Sequence, residues 1–354
     1  PVIAPPETIE GFESPHTETI EWNIQHIRAP DVWNILGTRG EGIVIGSLDY
    51  GLEYDHPALV NQYRGNLGGG VFDHNYNWYD PSHVCGNPST APCSTDGHGT
   101  FTTGFAVGDD GGPNQIGVAP GARFMMAVID SIYYGSCLDL MEWMLAPRDL
   151  NDQNPRPDLR PHVINNSWGS PGGNNTYWLS AVQAWIAAGI FPVFAMGNEG
   201  PSCSSGRSPG DYEETYAVGA HDVNNDIWID SSRGPSDFGP VKPNIAAPGV
   251  DVRSSAFGTY YGGASATSWA TPHVTGTVAL MLSHNPELIG DFELTRLYLD
   301  RSAIDVEDLS CGGEASNNNV WGQGRLDAFA AVSQVLFLDD FESGDTSAWS
   351  ATVP

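Results

Sequence analysis

Three polar side chains in this sequence stand among glycines and other small residues, where a backbone or a bound molecule can approach closely. Asp49 closes S-L-D-Y-G, His98 lies in D-G-H-G-T-F-T-T-G, and Ser268 lies in A-T-S-W-A-T-P-H-V-T-G. Taken singly, each has an ordinary reading as a turn aspartate, a loop histidine and an N-cap serine. Taken together they are the three groups that nucleophilic acyl transfer requires. A serine hydroxyl is a weak nucleophile until an imidazole removes its proton, and the imidazolium so formed needs a carboxylate to orient and stabilise it. The same chemistry needs donors for an oxyanion. Asn198, ending V-F-A-M-G-N-E-G, offers a side-chain amide, and the backbone N–H of Ser268 at a helix start offers a second. Pro272 lacks the N–H that would bond back to the Ser268 carbonyl, which fits a helix that has only just begun.

The elements that must position these groups follow from the hydrophobic pattern. Apolar, β-rich runs at 42–49, 123–130, 162–168, 190–198 and 215–220 predict buried parallel strands. Amphipathic segments at 138–146 and 178–189 lie between them, the second ending on a glycine cap at Gly189, and further helices are predicted at about 268–284, 293–303 and 325–335. Another helix is expected to begin at about Gly99. Alternating strands and helices give an α/β fold of three layers, with a largely parallel central sheet and helices on both faces. Ligands of such sheets meet the carboxyl ends of the strands, where Asp49, Ser167 and Asn198 all fall. We expect an N-terminal arm over 1–20, one catalytic domain over 21–336 and a C-terminal tail, or the start of a truncated segment, over 337–354. No internal repeat is present.

Composition narrows the partners. Acidic residues outnumber basic ones 43 to 14, for a formal charge of −29, and Lys242 is the only lysine. A phosphate backbone or an anionic membrane would be repelled, so neither nucleic acid nor a membrane surface is expected as a partner. No run of about 18 apolar residues could span a bilayer, and the start at Pro1, with no Met-initiated leader, reads as a processed or trimmed chain. The five cysteines leave at least one thiol unpaired within the chain. Cys85 and Cys93, in one Pro/Ser/Thr-rich loop, are the best disulfide candidate, and a zinc site with His83 and His98 is the competing reading.

The chain order Asp49, His98, Ser268 resembles that of the subtilisin-like serine peptidases. The resemblance runs over about 21–336 and includes Q-I-G-V-A-P-G-A (115–122), I-N-N-S-W-G-S (164–170), A-M-G-N-E-G (195–200), S-S-R-G-P (231–235) and K-P-N-I-A-A-P-G-V (242–250). E-W-N-I-Q-H-I-R-A-P-D-V-W (21–33), N-W-Y-D (77–80) and W-M-L-A-P-R-D (143–149) are most similar to the bacillopeptidase F-like branch. The resemblance implies a secreted bacterial serine endopeptidase with the triad Asp49, His98 and Ser268 and Asn198 in the oxyanion hole. It implies a substrate strand laid between Ser167-Trp168-Gly169 and Tyr134-Gly135, with Ala195, Met196 and Gly197 as one wall of the pocket. It further implies protein or peptide substrates, a propeptide of the chain's own, and structural calcium with no ligands assigned, for which the oxygen-rich loop 221–226 is one source. The chain is expected to be a monomer. Four positions depart from the family pattern: Tyr50 stands where Thr follows the aspartate, Phe101-Thr102 where His-Val follows H-G-T, Ala266 where Gly precedes T-S, and Trp269 where Met follows the serine.

Rival chemistries are weaker. G-R-S-P-G at 206–210 matches the nucleophile elbow of an esterase or lipase, with His221 downstream, but the residue after such a serine must donate its N–H and Pro209 has none. A peptidase-like binding scaffold would keep the residues without the activity. No cysteine carries a cysteine-peptidase signature and no H-E-x-x-H is present.

Overall fold

The computed structural model describes residues 9, 12–13, 20–129 and 134–334, with backbone alone at 12 and 134–136. Most of the expected arm and all of the tail at 337–354 lie outside the described residues. The elements used below are β1 (Phe12–Glu13), α1 (Trp22–His26), β2 (Val44–Asp49), β3 (Trp78–Tyr79), α2 (His98–Val107), β4 (Arg123–Val128), α3 (Tyr134–Leu145), β5 (Val163–Asn166) and α4 (Leu179–Ala187). They continue with β6 (Phe191–Ala195), β7 (Tyr216–His221), β8 (Ile245–Pro248), β9 (Val252–Ala256), β10 (Thr259–Ala264), α5 (Thr267–His284), α6 (Phe292–Ser302) and α7 (Ala328–Gln334).

Seven strands form the central sheet in the order β8-β7-β6-β5-β2-β4-β3, and every pairing in it is parallel. Alternation along β4 shows why both faces are covered. Phe124, Met126 and Val128 join the core beneath α5, whereas Met125 and Ala127 join the core beneath α3 and α4. Each of these buried Phe, Met and Val side chains contributes about 1.5–3 kcal/mol. The three-layer α/β expectation is met, and all five predicted strands are present within a few residues. β8 and the β9–β10 hairpin were not anticipated as strands. Their segments, I-A-A-P and V-R-S-S-A with T-Y-Y-G-G-A, are small or mixed in character and are held by ladder pairing more than by an apolar signature.

α5 departs from an amphipathic pattern, since it is buried on all sides from Thr267 to Leu282. Two of its interior hydroxyls are satisfied locally: Thr271 and Thr277 each donate to the carbonyl four residues back. Gly276 lets this helix touch the core wall, because a Cβ there would meet the Val118 Cβ at 2.6 Å. Two disulfides join Cys85 to Cys93 and Cys203 to Cys311, leaving Cys137 as the buried free thiol. The competing zinc reading fails, because both of its cysteines are spent on each other. Lys242 is fully buried, donating Nζ to the Thr215 carbonyl at 2.7 Å and to Asn244 Oδ1 at 2.9 Å, and burial lowers its amine to about 7. No helix among the described residues is long and apolar enough to cross a membrane.

Candidate active site

Asp49 is the last residue of β2 and is fully buried. Its carboxylate is held from three directions. Oδ1 accepts from the Tyr50 N–H at 2.8 Å and faces His98 Nδ1 at 2.6 Å, and Oδ2 accepts from Thr102 Oγ1 at 2.9 Å. A carboxylate only accepts, so Nδ1 carries the imidazole proton and Nε2 is the basic end of the neutral ring. His98 is the first residue of α2, and its N–H donates to Asp96 Oδ1 at 2.9 Å. Burial pushes the Asp96 carboxyl up; the His98 N–H opposes that shift, and the Asp49 charge adds to it. Gly99 makes the approach of α2 to β2 possible, since a Cβ there would lie 2.1 Å from the Gly51 carbonyl oxygen.

Ser268 is the second residue of α5 and is 1% exposed. Its carbonyl accepts from Ser167 Oγ at 2.8 Å, which supplies the donor that Pro272 lacks, and Ser268 Oγ donates to the Ser167 carbonyl at 3.3 Å. Ser167 is itself fixed by Asn165 Nδ2 at 3.0 Å, and Asn165 Oδ1 accepts from Thr275 Oγ1 at 3.1 Å, so a buried polar chain ties the end of β5 to α5. Trp269 follows Ser268, and its indole lies against the His98 ring with centroids 4.9 Å apart. α2 and α5 are packed together, and the residue after Ser268 thus lies against the imidazole that faces Asp49.

Asn198 follows β6 by three residues and is half-buried. The Thr267 N–H reaches its side chain at 2.9 Å and Thr267 Oγ1 at 2.8 Å. A backbone N–H can only donate, so the atom it meets is the amide oxygen. The carbonyl end of Asn198 therefore caps α5, and its Nδ2 is the donor end. Behind it, Glu199 Oε2 accepts from the Asn198 N–H at 2.9 Å and from Ser232 Oγ at 3.2 Å, and Glu199 is paired with Arg207. Gly197 has φ +116°, and a Cβ there would meet Glu199 and Ser232 at under 3 Å. Thr267, Glu199, Arg207 and Ser232 were not foreseen as site residues: Thr267 and Ser232 reach the site from 69 and 33 positions away, and Glu199 and Arg207 carry no local signal for the buttress they form.

Ser167, Trp168 and Gly169 extend from the end of β5, and Ala195, Met196 and Gly197 from the end of β6, the neighbouring strand. Trp168 and Met196 are buried, with Trp168 packed on Trp178 and Phe194. Tyr134 and Gly135 fall at the start of α3, where their side chains lie outside the described residues. The elbow-like 206–210 segment is turn and loop, with no strand leading into a helix. In the loop 221–226, Asp222 Oδ1 accepts from the backbone of Asn224 and Asp226, both at 2.8 Å, and among the described residues no three His, Cys, Asp or Glu gather as a metal cage.

The departures from the family pattern converge. Tyr50 meets the His98 ring edge-on at 5.7 Å, Trp269 covers another side, and Phe101 packs on Trp269 at 4.6 Å. Thr102 is the donor to Asp49 already described. Ala266 has extended backbone, φ −169°, ψ 158°, so its Cβ costs nothing there.

Bacillopeptidase F of Bacillus subtilis (strain 168) is 40% identical over 330 residues, covering 90% of this chain but 22% of that protein, so the chain spans about a fifth of that relative. Subtilisin BL and Subtilisin Savinase of Lederbergia lenta are each 30% identical over 319 residues, 89% of this chain and 99% of theirs. The family model of the subtilases, peptidase S8, matches residues 40–324, and the chain accordingly belongs to the subtilase family.

Proposed function

We propose that this chain is the catalytic part of a serine endopeptidase that hydrolyses peptide bonds in proteins through an acyl-enzyme. The observation that carries the reading is the 2.6 Å contact between the buried Asp49 carboxylate and His98 Nδ1 beside a helix whose second residue is a buried serine. Ser268 Oγ attacks the scissile carbonyl while His98 Nε2 takes its proton, and Asp49 holds the imidazolium. Asn198 Nδ2 and the Ser268 N–H steady the oxyanion. His98 then gives the proton to the leaving amine, and water resolves the ester by the same route. The base accepts a proton only when neutral, so turnover falls on acidification.

An extended substrate backbone adds beside Ser167-Trp168-Gly169, with Tyr134-Gly135 as the opposite flank and Ala195, Met196 and Gly197 walling the pocket. Two disulfides support export to an oxidising compartment, and the family resemblance implies synthesis with a propeptide. The test is covalent. A peptidyl phosphonate should label Ser268, and Ser268→Ala should abolish labelling and turnover together. A folded chain that never labels would leave a binding scaffold as the reading.

A further inference from the structure

The β9–β10 hairpin leads through Ser265 and Ala266 into the first turn of α5, which carries Ser268. β9 takes one edge of β10, and β1 takes the other, antiparallel, with Phe12 opposite Gly262 and Glu13 opposite Tyr261. The Glu13 carboxylate also accepts from Thr259 Oγ1 at 3.2 Å. Nearer the site, Ile9 packs against the cluster of Phe101, Val252, Ala256 and Trp269. Its Cδ1 lies 3.2 Å from the place a Cβ on Gly97 would occupy, and the Phe257 ring lies 2.8 Å from that place. Ile9 thus sits against the residue preceding His98.

His98 protonates the leaving amine in the mechanism above, so the polypeptide beyond the scissile bond departs on the His98 side, the side on which Ile9 sits against Gly97. We propose that the edge of β10 is the binding track for this leaving-group segment, and that the chain's own Ile9 and Phe12–Glu13 occupy it as an internal competitor. This inference rests on the peptidase reading of the same site. A strand edge forms one ladder at a time, so arm and substrate exclude each other. A site open for only a fraction of the time binds its ligand more weakly by that fraction. Substrates with a small leaving group do not use the track and do not feel the arm.

The experiment compares two substrates with the same acyl side in the full chain: a peptide p-nitroanilide, and a fluorescence-quenched peptide continuing six residues past the bond. With the arm docked about nine-tenths of the time, Ile9→Asp lowers KM for the long peptide about tenfold and leaves p-nitroanilide turnover unchanged. An oxidised Glu13→Cys/Tyr261→Cys pair, crosslinking the two strands, raises KM for the long peptide relative to the single Glu13→Cys variant and again spares the p-nitroanilide. Equal responses of both substrates, or none from either, overturn the inference while the peptidase reading stands. Failure of the unaltered chain to cleave either substrate overturns the peptidase reading and this inference with it.

Discussion

Ser167 and Ser268 serve each other: the hydroxyl of the first donates to the carbonyl of the second at 2.8 Å, and the hydroxyl of the second donates to the carbonyl of the first at 3.3 Å. A proline four residues after Ser268 would otherwise leave that carbonyl orphaned in a dry interior. Ser167→Ala is expected to cost about 1–3 kcal/mol of stability, the penalty of a buried acceptor without a partner. Adding Pro272→Ala restores an N–H along the helix and should recover part of the loss. Urea unfolding of the two single variants and the double variant tests this, and strictly additive effects would refute the coupling.

Asn198 has two ends with separable duties. Asn198→Ala removes both the cap on Thr267 and the oxyanion donor, so turnover should fall roughly 10²–10³-fold, with about 0.5–2 kcal/mol of stability lost as well. Asn198→Asp keeps the acceptor for Thr267 and loses only the donor. It should match the alanine variant in lost turnover, or exceed it, while unfolding closer to the parent. Near-parental kcat in either variant removes Asn198 from the proposed role.

Lys242 makes stability depend on alkaline pH. Its amine titrates at about 7 in the folded chain against 10.5 when unfolded, so between those values the unfolded state binds more protons and stability rises with pH. Compared with Lys242→Met, the parent should gain on the order of a few kcal/mol from pH 7 to 10.5. Denaturant unfolding at several pH values gives the gap directly, and a constant gap would show that the amine titrates normally.

Two buried histidines act at the acid end. Burial depresses His273 to about 4 and His221 to about 3 from the usual 6.5. Unfolding lets both rings take protons below pH 6.5, so stability should fall as pH drops from 6.5 towards 4, with His273→Gln blunting the slope. The decline is in the unfolding midpoint, and this separates it from loss of turnover by protonation of His98.

The disulfides should differ in what they protect. Cys203 and Cys311 are 108 residues apart, so replacing both by Ser should cost about 4–5 kcal/mol on the loop-entropy estimate, against about 2–3 kcal/mol for the eight-residue separation of Cys85 and Cys93. The shorter link is nearer the chemistry. The Cys93 carbonyl accepts from the Leu52 N–H at 2.9 Å, close behind Asp49, so its loss should reduce kcat more than stability. Calorimetry and steady-state kinetics on the two double variants decide the ranking.

The strands, the main helices and the segments carrying Asp49, His98, Asn198 and Ser268 were legible because each is written in a short stretch: an apolar run, a glycine at a close approach, a polar residue where the run stops. What stayed hidden depends on distance along the chain. Nothing local in 259–264 says that this segment is a strand with β9 on one edge and residue 12 on the other. Nothing local pairs Cys203 with Cys311. Tyr50, Phe101, Thr102 and Trp269 looked like four separate irregularities, and only the fold shows that they surround one imidazole and its carboxylate.

The burial of the only lysine has a practical corollary. The folded domain presents no lysine amine to acylating dyes, aldehyde fixatives or succinimidyl resins, so such reagents find no lysine side chain until the domain opens. Mass tagging at Lys242 would therefore count opening events, turning one interior nitrogen into a clock for how often the molecule comes apart.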